Sequence, residues 1–137
     1  MSNYFSGDVR SERAGATVAS GVAGVILGPL DLLRYREKTF TVVNHGAVTL
    51  SGVALQVNHD PHGHESGLLS STPGTILPQP SAGLWQDYDT TSFQSIATGG
   101  VRSLNVAGTA HKWWRLVGTN KFTPSVVVSG HLNARSV

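Results

Sequence analysis

A chain of 137 residues with 13% charged residues and a net charge of +2 has the length of one domain and can bury a core without covalent staples. It contains no cysteine, which excludes disulfide frameworks, thiolate catalysis and cysteine zinc sites. No run of Lys or Arg is present to follow a phosphate backbone, so nucleic acid is not an expected partner.

Residues 1–13 are polar, with Tyr4 and Phe5 as isolated aromatics that read either as part of a tail or as anchors docking on a neighbouring subunit. Ala14 to Leu33 follows, an apolar and small-residue run behind Arg10 and Arg13. Gly15, Gly21, Gly24, Gly28 and Pro29 interrupt it, and no small-residue cleavage site closes it. It is too weakly apolar to span a bilayer, so no membrane partner is expected, and Thr17–Leu27 reads as a strand or arm. The expected organisation is an N-terminal arm or extended segment over 1–28 and a β-sandwich domain over 29–137. Leu30 to Arg36 reads as a helical turn or a strand entry.

From Phe40 to Val57 apolar side chains recur at every second position: Phe40, Val42, then Val48, Leu50, then Val53, Leu55, Val57. That period sets one face of a strand on a core. The switch from even to odd falls at Ser51-Gly52, where one extra residue in a bulge would restore the inward facing. Glu37–Asn44 and Ala47–Asn58 are therefore predicted as strands of a hairpin turning at His45-Gly46. Residues 59–83 hold four of the six prolines and read as a long irregular loop, with a short strand near Thr75–Leu77. Leu84–Thr90, Phe93–Ala97, Val101–Ala107, His111–Thr119 and Ser125–Asn133 complete seven or eight short strands separated by turn signals. The fold class is all-β, an antiparallel two-sheet sandwich of about seven to eight strands. Its predicted core comprises Phe40, Val42, Leu50, Val53, Leu55, Val57, Leu104, Val106, Trp114, Leu116, Val126 and Val128.

The segment His59-Asp60-Pro61-His62-Gly63-His64-Glu65 is the sharpest local cluster of polar ligands. His59, His62 and His64 are candidate ligands for zinc or nickel, yet their spacing matches no mechanistic motif, and the expectation is a polar loop without metal. Asp87 and Asp89 lie two apart and share a strand face; paired carboxylates of this kind serve glycosidic chemistry, and at a strand end they more often form a polar edge. No nucleophile elbow or P-loop occurs, so neither an enzyme nor a cofactor is expected. In Trp113-Trp114-Arg115, parity with Leu116 sends Trp114 inward and Trp113 with Arg115 outward. Trp113, Trp85 and Tyr88 then form either an interface hot spot or a sugar-stacking platform.

The pattern Asn44-x-Gly46-x-x-x-Leu50-x-x-Val53-x-Leu55 resembles that of small immunoglobulin-like sandwiches. With Thr90-Thr-Ser-Phe93, Ala97-Thr-Gly-Gly100-x-x-x-Leu104-x-Val106, Trp114-Arg-Leu and the Ser-Val-Val-Val-Ser-Gly-His-Leu-Asn ending, residues 37–134 look like small immunoglobulin-like phage virion proteins. That resemblance implies a capsid decoration (cement) protein that binds and stabilises a shell, or a tail-associated structural protein. The implied partners are the major capsid protein or tail neighbours and further copies of the chain, in a homo-oligomer such as a trimer. The implied location is the virion, assembled in the host cytoplasm. Its interface candidates are Tyr4, Phe5, Trp85, Tyr88, Trp113 and Arg115, and the alternative function is an immunoglobulin-like carbohydrate-binding module.

Overall fold

Alternation along Glu37–Asn44 buries Lys38, Phe40, Val42 and Asn44 and leaves Glu37, Thr39, Thr41 and Val43 partly open to solvent. This strand is central in the structure, a computed structural model in which residues 9–18, 21, 23–65, 79–108, 111–119 and 125–136 are described. In chain order the strands are β1 (Val9–Val18), β2 (Ala23–Asp31), β3 (Glu37–Asn44), β4 (Val53–Asn58), β5 (Gln86–Asp89), β6 (Val101–Ala107), β7 (Trp113–Thr119) and β8 (Val126–Arg135). A 3-10 turn at Ala82–Leu84 precedes β5. Two four-stranded sheets result, ordered β1-β8-β3-β6 and β2-β7-β4-β5, with every pairing antiparallel.

The all-β, two-sheet antiparallel sandwich is the expected architecture, but the connectivity differs from an immunoglobulin-like one. Among the described strands, β4 and β5 are the one consecutive pair that are neighbours in a sheet; every other link crosses between sheets. That path is the double Greek key of a jelly roll. The predicted hairpin over residues 40–57 is accordingly an arch. β3 pairs with β6 and β8, whereas β4 pairs with β5 and β7.

The side chain of Asn44 holds this arch. Its Nδ2 donates to the carbonyls of Val48 and Ile96 at 2.8 and 2.9 Å, and its Oδ1 accepts from the Gly46 amide at 2.8 Å. A buried amide satisfied on both ends fixes a chain reversal that no sheet ladder supports. Gly46 is required there, because a Cβ would lie 2.8 Å from Val126 Cγ1. The change of parity at Ser51-Gly52 is made by Gly52 at φ +74°, and both Leu50 and Val53 are fully buried. Phe93–Ala97 is a loop rather than a strand, joined to the arch by the single bridge Leu50–Ile96. Phe93 and Ile96 nevertheless plug the core.

The boundary at residue 28 is corrected by the topology. β1 pairs with β8 from Val9–Arg135 to Val18–Val126, and β2 pairs with β7, so β1 and β2 are edge strands of the two sheets. The inward positions of β1 before Val18 are Arg10, Glu12, Ala14 and Ala16, too polar or too small to show apolar alternation. In β2, register shifts between Val25 and Leu27 and between Leu27 and Leu30 break the period. The predicted core residues are buried apart from Leu104, which is half-buried on edge strand β6 and packs against the core. Residues 1–8 and the predicted strand near Thr75–Leu77 lie outside the described residues.

Candidate interaction site

Strand β7 carries three of the residues that the sequence singles out. Trp114 points inward as predicted, is fully buried, and stacks on Phe40 with centroids 5.7 Å apart. Trp113 was expected on an exposed face, and the structure corrects this: it is only 2% exposed. The loop after β4 folds over it, taking a 2.7 Å hydrogen bond from Trp113 Nε1 at the Asp60 carbonyl. Lys112 lies over the same ring at 5.1 Å and donates to the Pro61 carbonyl.

That covering loop is pinned at several points. The Asp60 carboxylate accepts from the amides of His62 and Ser81, and these backbone hydrogen bonds pull its pKa below the usual carboxylate range. Glu65 makes a two-pronged ion pair with Arg10 of β1 at 2.7 and 2.8 Å. Burial opposes the ionisation of Glu65, but the hydrogen bonds and charge of Arg10 outweigh it and hold the carboxyl low.

The three histidines proposed as ligands do not converge. His59 instead meets His111, with Nε2 and Nδ1 3.0 Å apart, while His62 and His64 are exposed. Among the described residues no group of three or more His, Asp or Glu side chains is placed to hold a metal ion. No local signal singles out His111, because its partner His59 is 52 residues away. Burial pushes its pKa down, and the nearby positive charges of His59 and Lys38 push it further. Tyr88, 43% exposed, closes this rim with its ring edge-on to Trp114 at 5.0 Å and His111 at 5.9 Å.

Beneath the rim lies Lys38, fully buried, its Nζ 5.1 Å from the Trp114 ring and without a hydrogen-bond partner among the described residues. Desolvation lowers its pKa below 10.5. The unfolded chain therefore holds this proton more tightly than the folded one. Stability is diminished at neutral pH and recovers as pH rises through the folded-state value toward the unfolded value of about 10.4. Lys38→Met keeps most of the volume and removes the orphaned amine. It is expected to raise stability at pH 7 by about 1–3 kcal/mol. Chemical denaturation at pH 7 and pH 10 measures this, and the advantage of the variant should shrink at the higher pH.

Trp85 and Arg115 come together on the outer face of the β2-β7-β4-β5 sheet. The Arg115 guanidinium carbon is 4.1 Å from the Trp85 ring centroid. Its Nε donates to Gln56 Oε1 at 2.8 Å, and Gln56 Nε2 donates to Asp87 Oδ1 at 2.8 Å. Cross-strand pairing sets this row, since Gln56 faces Arg115 on one side and Asp87 on the other. Asp87 and Asp89, expected to share a face, are separated by a register shift in β5. Asp89 instead caps the next turn, accepting from the Thr91 and Ser92 amides and from Ser92 Oγ. Tyr4 and Phe5 lie outside the described residues.

The outer face of the β1-β8-β3-β6 sheet is different in kind. Its cross-strand rows read Ser11-Asn133-Thr39-Asn105, Arg13-His131-Thr41-Ser103 and Gly15-Ser129-Val43-Val101. Hydrogen bonds knit the rows: Ser11 to Asn133, Asn105 to Thr39, and Thr41 to Ser103. Ser129 Oγ lies 2.9 Å from His45 Nε2 and 3.2 Å from His131 Nε2, and neither ring has a carboxylate hydrogen-bond partner among the described residues. Arg13 is the only Lys, Arg, Asp or Glu in those three rows; the next row on the same face, Val9-Arg135-Glu37-Ala107, carries the Arg135–Glu37 ion pair at 2.8 Å. Val101 and Val127, on adjoining positions, are 51% and 49% exposed.

No protein-family model matches the chain, and no curated protein matches it. Solved structures similar to it include a protein of Bacillus endospore appendages, which form a family of disulfide-linked pili. That one is 12% identical over 93% of this chain and 87% of the other, with a TM-score of 0.38. Another is the SPBc2 prophage-derived protein YomS, 14% identical over 90% of this chain and 95% of the other, with a TM-score of 0.34. Among the described residues no helix is long and apolar enough to cross a membrane.

Proposed function

We propose that this chain is a phage virion structural protein, working as a homo-oligomeric capsid decoration protein that binds the shell and its own copies by the outer face of the β1-β8-β3-β6 sheet. The observation that carries this reading is the composition of the middle of that face, three adjoining rows whose one charged residue is Arg13, with the Arg135–Glu37 ion pair in the row at their end forming a polar rim. Depletion of charge is the compositional mark of an interface centre, and a flat sheet face can be covered without loop rearrangement. Strands at ~4.8 Å spacing and ~3.3 Å rise per residue make a four-strand face of eight residues roughly 500 Å² in projection. A standard interface buries about 800 Å² per partner, so a single contact of this size is weak. Many copies on one particle compensate for weak single contacts, which is the regime of a decoration protein. A tail-associated protein would use the same face on a smaller ring. Jelly rolls serve many functions, so the fold supports this reading only in company with the face.

Thr41→Arg tests it. Thr41 sits mid-face between His131 and Ser103, and its side chain is directed away from the core. The variant is expected to melt with the wild type, to lose self-association in sedimentation velocity, and to lose co-sedimentation with undecorated capsid shells. A wild-type chain that is monomeric and ignores shells overturns the proposal.

A further inference from the structure

The row on the opposite sheet carries hydrogen-bonding capacity that the fold does not consume. Arg115 uses Nε on Gln56, while its Nη1 and Nη2 groups have no hydrogen-bond partner among the described residues. Asp87 uses Oδ1 on Gln56, and its Oδ2, on an exposed side chain, has no hydrogen-bond partner among the described residues. A donor fork and a carboxylate acceptor are thus held on either side of an amide, two strand spacings or about 10 Å apart. The internal hydrogen bonds fix all three side chains in advance, so a ligand does not have to order them. Trp85, half-buried, lies with its ring against the guanidinium, and Leu84 beside it is 51% exposed.

We propose that Trp85, Arg115, Gln56 and Asp87 form a binding site for a neutral saccharide chain on the outer face of the β2-β7-β4-β5 sheet. Sugar hydroxyls both donate and accept, and so can use the Arg115 fork and the Asp87 oxygen at once. The C–H face of a pyranose ring finds an apolar surface in the indole and Leu84. Charge selects against other ligands. Asp87 repels a phosphate or carboxylate that Arg115 alone would attract, and Arg115 repels a cation that Asp87 would attract. The extended, flat row suits a chain of residues rather than a small compact molecule. This inference is independent of the assembly reading, which rests on the other sheet.

Tryptophan emission reports the site directly. Trp113 and Trp114 are 2% and 0% exposed, so Trp85 is the indole that a surface ligand reaches. The full chain would be titrated with neutral hexasaccharides of β-1,4-glucan, α-1,4-glucan, β-1,4-xylan and β-1,4-mannan, and with a heparin hexasaccharide and a chitosan hexamer as charged controls. Calorimetry would accompany the fluorescence. At least one neutral chain is expected to shift Trp emission and bind more tightly than either charged control. Trp85→Ala and Gln56→Ala are each expected to weaken it about tenfold or more while keeping the wild-type melting temperature. If no neutral hexasaccharide binds, if only heparin binds, or if Trp85→Ala binds as well as the wild type, the proposal is overturned. Loss of self-association in Trp85→Ala without any saccharide binding also overturns it, and assigns the row to a contact between copies.

Discussion

Removing residues 1–28 is expected to abolish the cooperative fold. The truncation deletes β1 and most of β2, and with them the ladders from Val9–Arg135 to Val18–Val126 and from Ala23–Thr119 to Leu27–Leu116. Val18, Ile26 and Leu27, at 1%, 2% and 5% exposure, leave the core together. Burial of one such side chain is worth about 1.5–3 kcal/mol, so the three account for roughly 5–9 kcal/mol. A domain of this size is held by about 5–15 kcal/mol in total, and the lost ladders add to the deficit. The deletion also exposes the unpaired backbones of β7 and β8, both rich in apolar residues, which favours aggregation. Circular dichroism melts of chains 29–137 and 9–137 measure the effect. The shorter chain should show no cooperative transition, and the longer one, which keeps every described strand, should melt near the full chain. A folded, cooperative 29–137 would mean that β1 and β2 are not part of the sandwich.

Trp114→Ala is the single substitution expected to cost most, about 3–5 kcal/mol. The ring is fully buried between Phe40 on the facing sheet and the rim formed by Tyr88 and His111. Its deletion leaves a cavity bounded by two strands of a close-packed sandwich, which cannot collapse without moving β3 against β7. It also strips Lys38, which has no hydrogen-bond partner among the described residues, of the aromatic face under its ammonium. The two losses are separable. In a Lys38→Met background Trp114→Ala should cost about 1–2 kcal/mol less than in the wild type. Trp113→Ala should cost less than Trp114→Ala, because Trp113 is covered by the 59–65 loop, which can resettle more readily than a sheet. Urea denaturation of the four variants gives all of these differences from midpoints, provided the slopes agree.

The proposals divide the molecule between its two outer faces. One sheet presents mostly uncharged hydroxyls, amides and valines, with Arg13 among them and the Arg135–Glu37 pair at their end, and the other presents a row of polar groups with unused donors and an acceptor beside an indole. Because the two faces are on opposite sides of one core, a copy bound to a shell by the first would leave the second exposed. The corresponding variants, Thr41→Arg and Trp85→Ala, should therefore act independently, as substitutions at separated sites do.

What could be read from the residues alone is the set of strands whose apolar residues recur at every second position. Glu37–Asn44 and Val101–Ala107 have the bounds that the sequence predicts, and Trp114 and Leu116 face the core as parity requires. Alternation is a local property, set by the pleat and by which side chains avoid water, so it needs no knowledge of the partner strand. The choice of partner is not local. The Asn44-Gly46 turn is compatible with a hairpin, and only the contacts of Asn44 with Ile96, 52 residues on, make it an arch between sheets. The same holds for β1, whose Arg10 and Glu12 look like the residues of a tail until Glu65 and the edge of β8 are brought beside them. Trp113 is outward by parity and buried in fact, because a loop supplied by β4 closes over it. His59–His111, Lys38–Trp114 and Trp85–Arg115 likewise arise where distant segments meet, so side-chain chemistry that depends on neighbours was settled by the tertiary structure alone.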